Sequence, residues 1–376
     1  MATVKHGDKI NDGGVVWRVV DRRTNGKVAD IPNFYHRSSL MSVSNNVLTT
    51  PSNLLININN QGFIGGSVAI NLNTGANWDT TSPTNYATQA NRAGKDFYVY
   101  LVQTSDGTLK FLLSANATVP TGYTADNSRK IGGFHCLCVN VGSISGHTLT
   151  GLTAGEVLPL SIWDLQHRPI SEPEGMVWVE GIGKWVDIYL NSWDTTNSKL
   201  VSKYKGTIAD GSSDPKWHGE KFPEYYGLIG KHLPMRDDFI VFAKGSNEKT
   251  IIDGGTDPVT AGGHSDTASR RMVSNYGIED CCGALTQWTS DIEAIDSFLT
   301  SSYSASNWSE ASIYNSSVDP QKYGSAYGNL RRIRVGGNWT TDASWGSRSM
   351  DWHDFPIYAA SSFGARGVSK SRPEMF

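Results

Sequence analysis

Turn signals limit what this chain can fold into. Asn11-Asp12-Gly13-Gly14, Asn25-Gly26 and Asp106-Gly107 each mark a reversal of the kind that joins hairpin strands. Between such signals lie short apolar runs: Val15–Val20, Leu54–Ile58, Gly66–Leu72, Phe97–Val102, Thr108–Leu113 and Gly132–Val141. They predict a small N-terminal β region over 1–40 and a β-sandwich over 41–155. Residues 1–40 are too few for a core of their own and are expected to pack on a neighbour or a symmetry mate. From 156 to 376 the texture changes. Met176–Glu180 and Trp185–Asn191 read as strands separated by a Gly181–Gly183 turn. Phe222–His232 and Met235–Ala243 read as helices separated by Leu233-Pro234, and Thr267–Asn275 as a third short helix. The loops Gly245–Ser265 and Ser302–Gly328 exceed the ~12–15 residues at which loops become unusual, so they are expected to be ordered or functional. The fold class is α+β and β-rich.

Composition removes several functions. Charged residues make up 18% of the 376, and the net charge of -3 excludes a broad basic footprint for nucleic acid. Aromatics at 10% argue against disorder. No run approaches the ~18 apolar residues of a membrane span. The N-terminal MATVKHGDKINDGG has no apolar core, so no secretory signal is expected. Cys136, Cys138, Cys281 and Cys282 lack zinc-ligand spacing. They read as buried reduced thiols of a chain that folds in a reducing cytoplasm.

The search for catalytic patterns is negative: there is no HExxH, CxxC, P-loop, GxGxxG or GxSxG. His264-Ser265-Asp266 has triad residue types, but triads need chain-distant groups that converge. Asp210-Gly211-Ser212-Ser213-Asp214 lacks EF-hand spacing and reads as a polar turn. No metal, cofactor or catalytic residue is assigned.

The most specific region is Gly336–Val368. One class of position there is structural: Gly336, Gly337, Trp339, Gly346, Arg348, Trp352, Pro356, Gly364, Arg366 and Gly367. Glycine admits close backbone approach, tryptophan buries a large area, and arginine can bind several carbonyls at once. Interleaved with these are chemically miscellaneous residues: Asn338, Thr340, Asp342, Ser344, Asp351, His353, Asp354, Phe355, Tyr358, Ala360, Ser362 and Phe363. The first four recur with period two, which would put them on one face of an extended segment.

This segment resembles the variable region of the major tropism determinant family, phage receptor-binding proteins diversified by retroelements. The resemblance runs ungapped into Gly364-Ala365-Arg366-Gly367-Val368. It extends upstream through Pro120–Thr124, Arg129–His135, Ile162-Trp163-Asp164, Trp185–Leu190, Thr207–Ser212 and Gly230–Pro234, and covers about residues 95–368. It implies a C-terminal C-type lectin fold of the formylglycine-generating-enzyme type behind the β-sandwich. It also implies a homotrimer at a tail-fibre tip of the virion, attached to other tail-fibre proteins, with residues 1–40 serving attachment or trimerisation. The partner implied is a host cell-surface receptor, with a protein as the expected class. Nucleic acid and membrane insertion are not implied. Carried over by position, the twelve miscellaneous residues become the variable, ligand-binding set and the structural class its scaffold. Such retroelements favour AAC codons, and randomising the two adenines never yields Trp, Met, Lys, Gln or Glu. None of the twelve positions holds one of those five.

Two other functions compete. A structural tail protein with an inert lectin-like tip would share the fold. An enzyme of the formylglycine-generating type would need a C-terminal cysteine pair, and no cysteine follows Cys282. The lectin-type Glu-Pro-Asn calcium motif is absent, so the fold name carries no sugar-binding claim.

Overall fold

The computed structural model describes residues 9–12, 15–20, 41–50, 54–58, 61–164, 167–212, 216–296, 328–340 and 346–372. The turn at Asn25-Gly26, the loop at 302–327 and the positions Asp342 and Ser344 lie outside them.

β1 (Lys9–Asp12) and β2 (Val15–Val20) form a hairpin with Asp12 opposite Val15. β3 (Met41–Ser44) pairs with β4 (Val47–Thr49), and β5 (Leu54–Ile58) with β6 (Gln61–Gly65). β6 also pairs with β2, so the N-terminal hairpin finds its neighbour within the chain, in the order β1-β2-β6-β5. β7 (Ala69–Asn71) returns to β4. The sheet β11-β10-β8-β9 follows, from β8 (Asp96–Gln103), β9 (Leu109–Ser114), β10 (Ser128–His135) and β11 (Trp163–Asp164). β8 is apolar on both faces because both are covered. Phe97, Val99 and Leu101 point into one core with Ile56, Ile70 and Trp78. Tyr98, Tyr100 and Val102 point into another with Trp163, Met176 and Trp185.

The C-terminal region opens with β12 (Met176–Val179) and β13 (Lys184–Asp187), followed by the hairpin β14 (Asn191–Asp194) and β15 (Lys199–Ser202). Among the described residues the α-helices are α1 (Lys221–Leu228) and α2 (Arg236–Phe242). α1 stops four residues short of the expected end, before Gly230 at φ 71°. The expected helix at Thr267–Asn275 does not form. The Asp266 carboxylate accepts from the backbone N–H of Ala268 and Arg270, and Ser269 sits at φ 61°, which no helix tolerates.

The last strands are β16 (Thr286–Asp296), β17 (Gly328–Val335), β18 (Met350–Asp351), β19 (Phe363–Gly364) and β20 (Val368–Lys370). They give one sheet ordered β18-β17-β16-β19, and β20 returns to β13. The main core beneath them contains Val177, Val186, Phe239, Phe242, Ile333 and Val335. All four cysteines are buried and free.

Candidate receptor-binding face

Two pairings fix the C-terminal segment. β18 lies antiparallel along β17, with Asp351 opposite Arg334, and β19 lies parallel along β16, with Phe363 opposite Thr286. The residues between β18 and β19 cross the end of this sheet as irregular backbone. Glycine packing holds their far side. The Gly211 N–H donates to the Ala360 carbonyl at 3.0 Å, and a Cβ at Gly211 would fall 2.2 Å from the Ala360 nitrogen. A Cβ at Gly219 would fall 2.8 Å from the Pro356 carbonyl oxygen.

Below the segment, Arg366 is fully buried. Its guanidinium donates to the carbonyls of Asp187 and Ile188 at 3.0 Å each and of Glu279 at 2.7 Å, and to Gln287 Oε1 at 2.6 Å. One side chain thus ties β13, β16 and the 279–280 turn to the chain end. Gly336 takes φ 88°, and a Cβ there would lie 2.4 Å from the Cys281 carbonyl oxygen. Gly337 also has positive φ, and Gly364 and Gly367 pack tightly against Leu285 and Asp187. Trp339 and Trp352 are half-buried against the main core.

The miscellaneous residues fall into three groups. Thr340, His353, Phe355 and Tyr358 are exposed. Phe355 at 44% and Tyr358 at 51% flank Ile357 at 70%, so an apolar patch stands in water where single exposed apolar residues are the norm. Asp351, Asp354, Ala360 and Ser362 are half-buried.

The third group corrects the expectation. Phe363 is buried at 6%: β19 pairing brings its ring to 5.6 Å from Trp288, so it is core. Asn338 is buried at 8%. Its Nδ2 donates to Thr286 Oγ1 at 3.2 Å, and its Oδ1 accepts from the Thr340 N–H at 2.9 Å, which turns the backbone. Asn338 and exposed Thr340 therefore do not share a face, and the extended period-two reading fails at this turn. Arg348, expected in the scaffold, is exposed. It lines a groove of about 1210 Å³ with Ile240, Lys244 and Lys249, because Glu248 anchors the neighbouring Ser347 instead.

The strand β17 carries what the sequence reading missed. Arg331 stacks over the Phe355 ring at 3.9 Å. Arg332 reaches Glu220 at 2.8 Å. Arg334, 2% exposed on its side chain, pairs with both Asp351 and Asp354, the latter at 2.5 Å, and stacks on Phe363 at 3.8 Å. Burial pulls the Arg334 guanidinium below its ordinary pKa, and the two carboxylates oppose that shift. The available signal was Arg331-Arg332-Ile333-Arg334, three cations in a strand directly before two glycines.

Among the described residues no cluster of three His, Cys, Asp or Glu could hold a metal ion. His264 Nδ1 meets Asp280 at 2.9 Å and not Asp266, so the contiguous trio forms no triad. Asp210 caps its own turn, accepting from the Ser212 N–H at 2.7 Å. No helix of the described residues is long and apolar enough to cross a membrane.

Comparison with known proteins agrees with this geometry. The family described as Mtd second domain matches residues 46–164. A tail fiber receptor-binding protein of Bordetella phage BPP-1 is 31% identical over 309 residues, spanning 77% of this chain and 74% of that protein. Solved structures of the Major Tropism Determinant M1 and U1 variants match with TM-scores of 0.66 and 0.65 at 26% identity, covering 89% of this chain and 84% of theirs. The C-terminal region, with its short paired strands, two helices and long ordered loops, has the C-type lectin fold of those neighbours. The chain belongs to the major tropism determinant family.

Proposed function

We propose that this chain is the receptor-binding protein of a phage tail fibre and that the surface formed by residues 351–362 meets a host cell-surface protein. One observation carries the reading. Phe355, Ile357 and Tyr358 are 44%, 70% and 51% exposed on a segment whose ends are pinned to β17 and β16. Large rigid aromatics held by a fixed scaffold bind with little ordering cost, as in antibody paratopes. The related proteins are named as receptor-binding proteins and tropism determinants, not as enzymes, and the role here is non-enzymatic.

The chain acts as a homotrimer at the virion tail-fibre tip, with residues 1–40 joining other tail-fibre proteins. A retroelement diversifies the exposed and half-buried positions among the twelve. Three weak sites on one trimer gain roughly 10²–10⁴-fold by avidity when they can engage together.

The test is adsorption to host cells by F355A/Y358A. Losing two aromatic anchors should cut adsorption at least about tenfold with the melting temperature unchanged. Adsorption equal to wild type sinks the receptor face. Sequences of this gene from several isolates test diversification, which requires substitutions concentrated at the exposed and half-buried positions among the twelve. A solution mass near one chain's 41.0 kDa excludes the trimer.

A further inference from the structure

Three residues of the variable class meet at one side chain that was assigned to neither class. Asp351, Asp354 and Phe363 all touch Arg334, which stands on β17 opposite Trp288. Its Nη2 pairs with both carboxylates. Its Nε and Nη1 are buried with no hydrogen-bond partner among the described residues. The two carboxylates are 25% and 21% exposed, against 2% for Arg334, so they lie between the guanidinium and water.

The charge arithmetic is local. One cation faces two anions, so the site in this chain repels a further anion. With small side chains that bring no acceptor to Nη2 at 351 and 354, such as alanine, the same site holds a bare guanidinium. Nη2 is then free to act with a neighbouring nitrogen as two parallel donors, the arrangement that matches a carboxylate. Phe363 and Trp288 beneath it fix the plane of the fork, with centroids 3.8 and 5.3 Å from the guanidinium carbon.

We propose that Arg334 is a fixed specificity-determining residue of the receptor face. Acids at the variable positions 351 and 354 cap it in this chain, and small residues there that bring no acceptor to it turn it into a carboxylate-binding site. This rests on the receptor-face reading above. It means that two positions choose the sign of the face while the scaffold stays the same.

The test compares wild type, D351A/D354A and D351A/D354A/R334Q, each melted in acetate and in chloride at equal ionic strength. Acetate should raise the melting temperature of D351A/D354A by roughly 2–4 °C at about ten times its Kd, and leave wild type and the triple variant unmoved. A crystal of D351A/D354A grown in acetate should show the carboxylate on Arg334. No acetate-specific rise in D351A/D354A, or a rise that persists in the triple variant, overturns the proposal. If the double variant does not fold, D351S/D354S carries the same comparison against D351S/D354S/R334Q, and no rise there is a negative result. No receptor enters the readout. Failure here leaves the receptor face standing, and failure of F355A/Y358A to lose adsorption leaves this result standing.

Discussion

At the residue scale, the pair His264–Asp280 sets a pH dependence. Burial alone would lower the His264 pKa, but the Asp280 carboxylate at 2.9 Å outweighs it and raises the imidazole above its ordinary 6.5. Burial alone would raise Asp280, but His264 and the Gly262 N–H lower it below 3.8. The raised histidine stabilises the fold fully below pH 6.5, and that contribution is lost as pH rises through its folded pKa. The depressed carboxyl contributes above pH 3.8 and is lost as pH falls through its own. The stability difference between wild type and H264Q should therefore be largest between about pH 4 and 6.5 and shrink toward pH 9. Urea titrations at pH 5.5 and 8.5 measure it, and a difference that grows at the higher pH refutes the pairing. The sequence showed the residue types of this region but not its partners, because Asp280 is 16 residues from His264 and takes φ 54° to reach it. Phe355 and Phe363 show the same limit. Both are phenylalanines in one segment, and only the parallel pairing of Thr286 with Phe363 sends one of them into the core. Arg366 was more legible: it stands in Gly364-Ala365-Arg366-Gly367, and an arginine beside tightly packed glycine backbone can bind several carbonyls at once.

At the element scale, the face depends on short strands rather than on its own backbone bonds. β18 and β19 have two residues each, so the crossing between them relies on outside support such as the Gly211–Ala360 contact. In G211A the new methyl cannot fit 2.2 Å from the Ala360 nitrogen, and the crossing must move. Hydrogen exchange of residues 357–362 should speed up while β10, packed in the sandwich core, keeps its protection. Equal exchange in both segments would show that Gly211 does not support the crossing. The strands of the sandwich were legible because β-branched and aromatic runs end at turn signals. The absent helix at 267–275 was not, because one aspartate and one serine redirect the backbone locally. The pairing of β2 with β6 was also hidden, since a hairpin's hydrophobic pattern does not name its neighbour.

At the scale of the whole molecule, the sandwich and the lectin fold meet at several places among the described residues, and one of them is a mixed junction around Trp163. Its apolar part is Trp163 on β11, packed edge-on to Tyr98 at 6.3 Å and grouped with Met176 and Trp185. Its polar part runs from Asp96 to His135 at 2.9 Å and from His135 to Tyr189 at 2.9 Å, crossing from one fold to the other. Each fold has a core of its own, one around Trp78 and one around Phe239, but the two overlap: Leu137, Cys138 and Leu149 of the sandwich segment enter the Phe239 core, and Val157 and Ile162 enter the Trp78 core. Trp163 belongs to a third cluster, with residues of both folds, so removing it acts on the contact between them rather than on either larger core. A buried Trp→Ala change costs about 3–5 kcal/mol, and here the loss falls on a contact between the two folds. Calorimetry of wild type should give one transition for this unit, and W163A should split it into two. W78A removes an equally buried tryptophan from inside the sandwich core and should lower the transition temperature of that core. It leaves the junction side chains in place. A single transition in W163A, shifted no differently from W78A, would mean that the shared Phe239 core and the polar chain through His135 carry the coupling instead. The proposed receptor face lies on the lectin side of this junction and is pinned to the β16–β17 sheet, so on that proposal W163A should bind host cells as wild type does below its first transition.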